Sequence, residues 1–111
     1  MRTLFLLPMI LLVGCTSGAA AVPVEPAARV VFGDLALDAP AGRATLRARV
    51  SEATRSFCRL HEDEVTPQVL QHDRFHCFER VRSVLRADMP RHVRGAYDEA
   101  LREAGVRGRR L

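Results

Sequence analysis

The sequence of 111 residues contains no lysine, no tryptophan, a single tyrosine and only three cysteines. All 17 basic side chains are arginine, and the formal net charge is only +4. A protein that binds nucleic acid usually shows a basic stripe with aromatic or motif support, and this chain has neither. We therefore predict no nucleic-acid partner, and we interpret the arginines of residues 107–110 as a solvated tail.

Motifs that carry chemistry are also scarce. The sequence has no glycine-rich phosphate loop and no Cys-x-x-Cys pair. No serine lies on a recognisable nucleophile elbow, and the histidines and carboxylates are scattered along the chain. These absences predict a protein that is not an enzyme and that uses no cofactor.

The amino terminus has the pattern of an export signal. Arg2 precedes an apolar run over residues 4–13. This run is shorter than the roughly 20 apolar residues that a membrane-spanning helix needs. Its length is typical of the hydrophobic region of a secretory signal peptide. We predict that residues 1–14 are the signal peptide.

The run ends in Leu12-Val13-Gly14-Cys15, which resembles the bacterial lipobox. The resemblance implies that the Cys15 thiol is acylated and that the chain is cut just before it. A single acyl chain gives only marginal binding to a membrane, so several acyl chains would anchor the protein stably. The resemblance to enterobacterial lipoproteins implies that Thr16, in place of aspartate after the anchor, favours sorting to the outer membrane. The alternative is an ordinary signal peptide cut after Ala19-Ala20-Ala21, with Cys15 discarded.

Three cysteines cannot all pair within one chain, and the lipobox accounts for the odd one because it predicts that Cys15 carries lipid. Cys58 and Cys77 then remain as a pair, and the oxidising periplasm favours a disulfide between them. In the chain-entropy model this disulfide stabilises the fold by about 3 kcal/mol. A redox-active or metal-binding pair is the less favoured alternative.

The remaining sequence predicts a tether over residues 15–28 and a small, mainly helical domain over residues 29–111. Alternating apolar residues over 29–37 predict one short strand, with a bulge or bend at Gly33-Asp34. A lone strand leaves its backbone unpaired. Either residues 30–37 lie across the helices as an extended strap, or they pair in trans with a second copy or another envelope protein.

Three amphipathic helices are predicted after the strand. The first begins at Asp38, as its cap, with Pro40 in the first turn, and ends near Cys58. A polar connector follows over residues 59–66, and Thr66-Pro67 begins the second helix. Asp88-Met89-Pro90 separates the second helix from the third. The predicted apolar face of the first helix carries Leu46, Val50, Ala53 and Phe57. That of the second helix carries Leu70, Cys77, Phe78, Val81, Val84 and Leu85, and that of the third carries Val93, Tyr97, Ala100, Leu101 and Ala104. The third helix is predicted to end at Gly105 and Gly108.

Residues 30–50 (Val-Val-Phe-Gly-Asp-Leu-Ala-Leu-Asp-Ala-Pro-Ala-Gly-Arg-Ala-Thr-Leu-Arg-Ala-Arg-Val), followed by Ala53 and Cys58, resemble the UrcA family of small secreted bacterial proteins. The shared pattern is Asp-Leu in a strand, Pro-x-Gly, a helix with Leu-x-x-Arg, and one cysteine in each of two helices. Arg59 departs from the glycine that the family often has. The resemblance implies an exported, helical, disulfide-paired protein, and it implies no catalytic residue.

His72 and His76 are the candidate metal ligands. Their spacing of four would place both imidazoles on one face of a helix, a geometry that can bind zinc. Asp73 stands where a zincin has its glutamate, so protease chemistry is not indicated. His61 or Glu64 would have to complete the site. Exposed histidines without a metal are the favoured interpretation.

These inferences combine into one prediction. The chain is an UrcA-like lipoprotein of the cell envelope, anchored to the outer membrane through Cys15 and facing the periplasm. Its role is an interaction or structural one, and a periplasmic metal-binding module that uses His72 and His76 is the alternative.

Overall fold

The computed structural model describes residues 27–107, and three α-helices account for most of them. The predicted mainly helical fold is confirmed. The predicted signal peptide, Cys15, nearly all of the tether and Gly108 lie outside the described residues. In chain order the elements are α1 (Pro40–Val65), a 3-10 turn (Gln68–Leu70), α2 (His76–Asp88) and α3 (Arg91–Glu103).

The strand predicted over residues 29–37 is not confirmed. Residues 27–32 have no regular secondary structure, and no β-strand occurs among residues 27–107, so this segment has no second strand to form a ladder with. Residues 28–38, here called the strap, instead lie against the helices. At Gly33-Asp34, where a bulge or bend was predicted, the chain makes a turn. The Leu35 N–H closes this turn by donating a hydrogen bond to the Phe32 carbonyl at 3.1 Å. The inward residues on both sides of this turn are Ala28, Val30, Phe32, Leu35 and Leu37.

Helix α1 begins differently from the prediction. Its N-cap is Ala39, and no side chain caps it, so the predicted capping by Asp38 is wrong. Pro40 occupies the first turn as expected, where its missing N–H is no loss. The Asp38 carbonyl is engaged instead, because it accepts a hydrogen bond from Arg43 Nη1 at 2.9 Å.

Helix α1 also runs seven residues past Cys58, through the segment predicted as a connector. A kink at His61, with φ −132° and ψ 19°, separates the straight helix from its last turn. The acidic run of residues 62–64 lies in this last turn, beside the negative end of the helix dipole, and the turn itself contains no basic residue. Thr66 is the C-cap of α1, and its N–H donates to the Glu62 carbonyl at 2.8 Å, so its predicted role as the cap of α2 is wrong.

Helix α2 starts about ten residues later than predicted. The 3-10 turn and a further turn fill the interval, and the Asp73 carboxylate accepts a hydrogen bond from the Phe75 N–H at 3.0 Å just before the helix. Cys77, Val81 and Leu85 are buried at successive turns, as the apolar spacing predicted. Leu70 does not belong to this face and is exposed.

The break between α2 and α3 falls where it was predicted. Met89 ends α2 and is buried, and Pro90 is the N-cap of α3. Arg94 stabilises the break, since its Nη2 donates to the carbonyls of Met89 and Ala87 at 3.0 and 3.3 Å.

Helix α3 ends in a Schellman motif. Gly105 has φ +65°, a conformation that glycine adopts without strain. The Gly105 N–H donates to the Arg102 carbonyl, and the Val106 N–H donates to the Leu101 carbonyl. The prediction of Gly105 as the helix stop is therefore confirmed.

The core lies along α1, because both α2 and α3 pack against it. One cluster of buried side chains joins the three helices, and the strap covers part of it. Its fully buried members include Leu46, Val50, Val93 and Tyr97, each at 0 or 1% exposure.

Candidate functional site

Cys58 and Cys77 form a disulfide, as the cysteine count predicted. Their Cα atoms are 5.9 Å apart, and the bond joins α1 to the first turn of α2. Both residues are almost fully buried, at 3% and 1% exposure. Since exchange requires an attacking thiolate to reach a sulfur, this burial favours a structural bond over a redox-active pair.

The structure does not place His72 and His76 on successive turns of one helix. His72 lies in the turn before α2 and is exposed, and His76 is the first residue of the helix. The predicted helical zinc geometry is therefore wrong, because α2 starts too late to include both residues. Within residues 27–107, no group of three or more histidine, cysteine, aspartate or glutamate side chains is placed to hold a metal ion.

His61 is engaged within its own helix. Its Nδ1 lies 2.9 Å from Glu64 Oε1, and its ring packs against Phe57 with the centroids 4.7 Å apart. Both partners are on α1, so these contacts bridge the kink at His61 rather than completing a site with His72.

Arg49 fastens the strap to the middle of α1. Its Nη1 and Nη2 donate to the two carboxylate oxygens of Asp34 at 2.6 and 2.8 Å, and Nη1 also donates to the Val31 carbonyl at 2.9 Å. This fork of charge-assisted bonds lowers the pKa of the Asp34 carboxyl below its ordinary value. The turn at Gly33-Asp34 is thereby held against the helix.

Arg43 fastens the second half of the strap and also reaches α3. Its Nη1 donates to the carbonyls of Leu37 and Asp38 at 3.3 and 2.9 Å, and its Nε donates to both carboxylate oxygens of Glu103 at 3.2 Å. Hydrogen bonding from Arg43 lowers the pKa of the Glu103 carboxyl. One side chain thus connects the strap, the start of α1 and the end of α3.

Gly42 allows the strap to approach α1 closely. A Cβ built on Gly42 would lie 2.6 Å from the carbonyl carbon of Ala36 and closer still to the carbonyl oxygen. Any side chain here would push the strap away from the helix.

Sequence reasoning did not assign roles to Arg43, Arg49 or Gly42. Arg49 and Asp34 are 15 positions apart, and no local pattern predicts that pair. The signal that was available lay in the resemblance to the UrcA pattern, in which Pro-x-Gly corresponds to residues 40–42 and Leu-x-x-Arg to residues 46–49.

A groove of about 620 Å³ lies between the second half of α1 and α2. Its lining contains both apolar and charged side chains, and Val84 within it is 45% exposed. The apolar residues are Phe57, Val65, Val81, Val84 and Leu85, and the charged residues are Glu64, Arg80 and Asp88.

Ala27 and Ala28 also line this groove. A second concavity of about 330 Å³ adjoins it and shares both alanines, together with Leu85 and Asp88. The groove therefore reaches the point where the described part of the chain begins.

A cleft of about 300 Å³ lies between α2 and α3, lined by Arg82, Ser83, Arg86 and Tyr97 among others. Arg86 is occupied, since its Nε and Nη2 donate to the carboxylate oxygens of Asp98 at 2.8 and 2.6 Å. This bonding lowers the pKa of the Asp98 carboxyl. One lining residue of the cleft, Arg86, is therefore engaged in an ion pair that joins the two helices.

No protein-family model, no curated protein and no solved structure matches this chain significantly. Among the described helices, none is both long and apolar enough to cross a membrane.

Proposed function

We propose that this chain is a non-enzymatic, UrcA-like lipoprotein of the cell envelope, with an interaction or structural role. The buried Cys58–Cys77 disulfide is the observation that carries the proposal. A bond of this kind persists in oxidising compartments and is rare in the cytosol. The signal pattern of residues 1–14 and the lipobox at Cys15 point to the same compartment.

The relationship to the UrcA family is supported by what the shared residues do in the fold. Asp34 and Arg49 form the fork that holds the strap, and Gly42 allows the strap to approach α1. Leu46 is buried in the core, and Cys58 is half of the disulfide. A pattern whose residues build the fold in this way implies a shared scaffold rather than a shared active site.

The proposed location is the outer membrane, with the domain facing the periplasm and Cys15 carrying the lipid. Partners are the membrane itself and either another envelope protein or a second copy. Pairing of residues 30–37 in trans stays a prediction. The inward side chains of the strap already pack on the core, so such pairing would use its backbone edge, next to the exposed Val31.

Intact mass spectrometry of protein from the membrane fraction, under non-reducing conditions, tests the proposal. We expect a mass that begins at Cys15, carries acyl chains and is two hydrogens lighter than the reduced form. In the matched control, Cys15→Ser, the protein should leave the membrane fraction while keeping the disulfide. A wild-type mass that begins near Val22 without lipid would contradict the anchor.

A further inference from the structure

Residues 67–75, here called the interhelical segment, join the end of α1 to the start of α2. They contain the 3-10 turn and no α-helix. Every residue of the segment is exposed except Asp73, which is half-buried, and Val69 is exposed at 84%. Exposed loops of this kind are the preferred sites of proteolytic nicking in folded proteins.

The turns of the interhelical segment are closed by hydrogen bonds between near neighbours. The Leu70 N–H donates to the Pro67 carbonyl at 2.8 Å, and the Asp73 N–H donates to the Leu70 carbonyl at 2.9 Å. Proteases cut folded proteins through local opening, which costs least where few apolar side chains are buried and the backbone bonds are exposed. Opening these turns does not require a break in the hydrogen bonding inside α1 or α2.

The chain is fixed on both sides of this segment. Thr66, just before it, is 4% exposed, and its N–H donates to the Glu62 carbonyl at 2.8 Å. Cys77, two residues after it, is 1% exposed and is bonded to Cys58. The disulfide therefore closes a loop that contains the whole segment, and a cut within the segment leaves the two pieces covalently joined.

Arg74 determines which class of protease the segment fits. Among residues 40–103 it is the only arginine outside the three helices, and the chain contains no lysine. Its Cζ lies 4.9 Å from the centroid of the Phe75 ring, a weak contact at an exposed site. Trypsin-like serine endopeptidases select a basic side chain through an aspartate in their specificity pocket. Such an enzyme meets one non-helical target bond in the helical domain, Arg74–Phe75.

We propose that the Arg74–Phe75 bond is a cleavage site for a trypsin-like serine endopeptidase, and that the product is a folded two-chain molecule. Hydrolysis consumes one water molecule. As the C–N bond breaks, a hydroxyl group bonds to the Arg74 carbonyl carbon and a hydrogen goes to the Phe75 nitrogen. At neutral pH the new termini are a carboxylate and an ammonium group. Phe75 is the N-cap of α2, so the cut interrupts no helix.

The test is limited digestion of the folded protein with trypsin, in the Cys15→Ser variant, which leaves Cys58 and Cys77 as the only cysteines. We expect one species without reductant and two fragments with reductant, the second of which begins at Phe75 by mass spectrometry. The Arg74–Phe75 bond should be cut at least tenfold faster than any other bond of residues 40–103. Far-UV circular dichroism of the cleaved, unreduced protein should match that of the intact protein.

Arg59→Gln is the matched control for Arg74→Gln. Arg59 is also exposed and also lies inside the disulfide loop, but it belongs to α1. Arg74→Gln should slow the splitting of the loop at least tenfold, whereas Arg59→Gln should not change it. Chymotrypsin, whose specificity pocket is apolar, should still cut the Arg74→Gln variant after Leu70 or Phe75. That result would show that the substitution removes recognition and not the opening of the segment.

A first cut after Arg59 or another helical arginine would overturn the proposal, as would equal rates of splitting with and without Arg74. Resistance of the segment to chymotrypsin would also overturn it, because the segment would then be closed to proteases in general. Loss of helix on cleavage would overturn the folded two-chain product. None of these results depends on the lipid or on the compartment, so this cleavage site and the proposed anchor fail or succeed separately.

Discussion

Gly42 of α1 lies directly against the backbone carbonyl of Ala36 in the strap. This approach is closer than any side chain at position 42 would permit. This close approach, the Arg49–Asp34 fork and the hydrogen bonds from Arg43 together hold the strap against the helices, although the strap belongs to no β-ladder.

Replacing Gly42 with alanine should destabilise the protein. The added Cβ overlaps backbone, which yields less readily than a side chain, and overpacking of this kind costs about 1–3 kcal/mol. Urea unfolding measures the change. Gly95→Ala is the matched control, since a Cβ there meets nothing within 4 Å in the middle of α3. This control should gain up to about 1 kcal/mol from helix propensity, and a loss at both glycines would argue against the proposed overlap.

Acidification should release the strap before the helices unfold. The folded pKa of Asp34 is lowered, chiefly by its hydrogen bonds from Arg49. The stability that the fork contributes is therefore complete above the unfolded pKa of about 4 and is lost as the pH falls from there through the lower folded pKa. Hydrogen exchange over residues 28–35 should become faster through this range, relative to the intrinsic rate.

Asp34→Asn provides the comparison for the strap. It removes the charge and one acceptor, so its strap amides should exchange faster already at neutral pH and should show less change on acidification. If the strap amides of Asp34→Asn exchange as slowly as those of the wild type at neutral pH, the fork contributes nothing to holding the strap.

Removing the disulfide should cost about 3 kcal/mol, because the bond closes a loop between residues 19 positions apart. Cys58→Ala with Cys77→Ala is the appropriate change, since serine hydroxyls would be buried at both sites. The midpoint of urea denaturation measures the loss. In the wild type, dithiothreitol should reduce the bond slowly in water and rapidly in urea, and rapid reduction of the native protein would contradict the structural assignment.

Tyr97 should titrate above the ordinary tyrosine pKa of about 10. Burial raises its pKa, while Arg82 and Arg47 oppose the rise. Absorbance at 295 nm follows it directly, because the chain has one tyrosine and no tryptophan. The neutral form is favoured in the folded state, so stability should be complete below about pH 10 and should fall as the pH rises through the folded pKa.

The absence of lysine makes this alkaline titration unusually clean. No ε-ammonium group loses its charge near pH 10, and arginine stays protonated there. Tyr97→Phe should therefore remove most of the alkaline loss of stability. A titration of Tyr97 at or below pH 10 in the folded protein would show that the arginines outweigh burial.

Zinc should bind weakly to this protein. A structural zinc ion takes four ligands, and the described residues provide no group of three around His72 and His76. In calorimetric titration, His72→Ala with His76→Ala should change the wild-type isotherm little. Tight binding that this double variant abolishes would restore the metal-binding alternative.

The helical architecture was predictable because its apolar residues repeat with the helical period. Val93 and Tyr97, or Val81 and Leu85, are one turn apart and are buried as that spacing predicts. The disulfide followed from the number of cysteines and the expected export of the chain, without knowledge of the fold.

The boundary between α1 and α2 was not predictable in the same way. The acidic run of residues 62–64 reads as a connector, since acids at the carboxyl end of a helix oppose its dipole. Tertiary contacts override that preference, and α1 continues to Val65 past a kink. Because the connector was predicted too early, the predicted start of α2 was also too early. That prediction placed His72 and His76 on one face of a helix, whereas only His76 belongs to α2.

The attachment of the strap depends on pairs that are distant in sequence. Arg49 reaches Asp34 across 15 positions, and Arg43 reaches Glu103 across 60. Neither pair leaves a local pattern in a single sequence. Only the resemblance to a family drew attention to Gly42 and Arg49, and only the structure shows what they contact.

The contact of Arg43 with Glu103 joins the first turn of α1 to the last turn of α3. A chain that emerges from a ribosome or a translocation channel delivers α1 before α3. The amino-terminal half of α1 therefore stays uncovered until α3 has emerged, and the nascent chain exposes this apolar face to proteases and to aggregation during that interval.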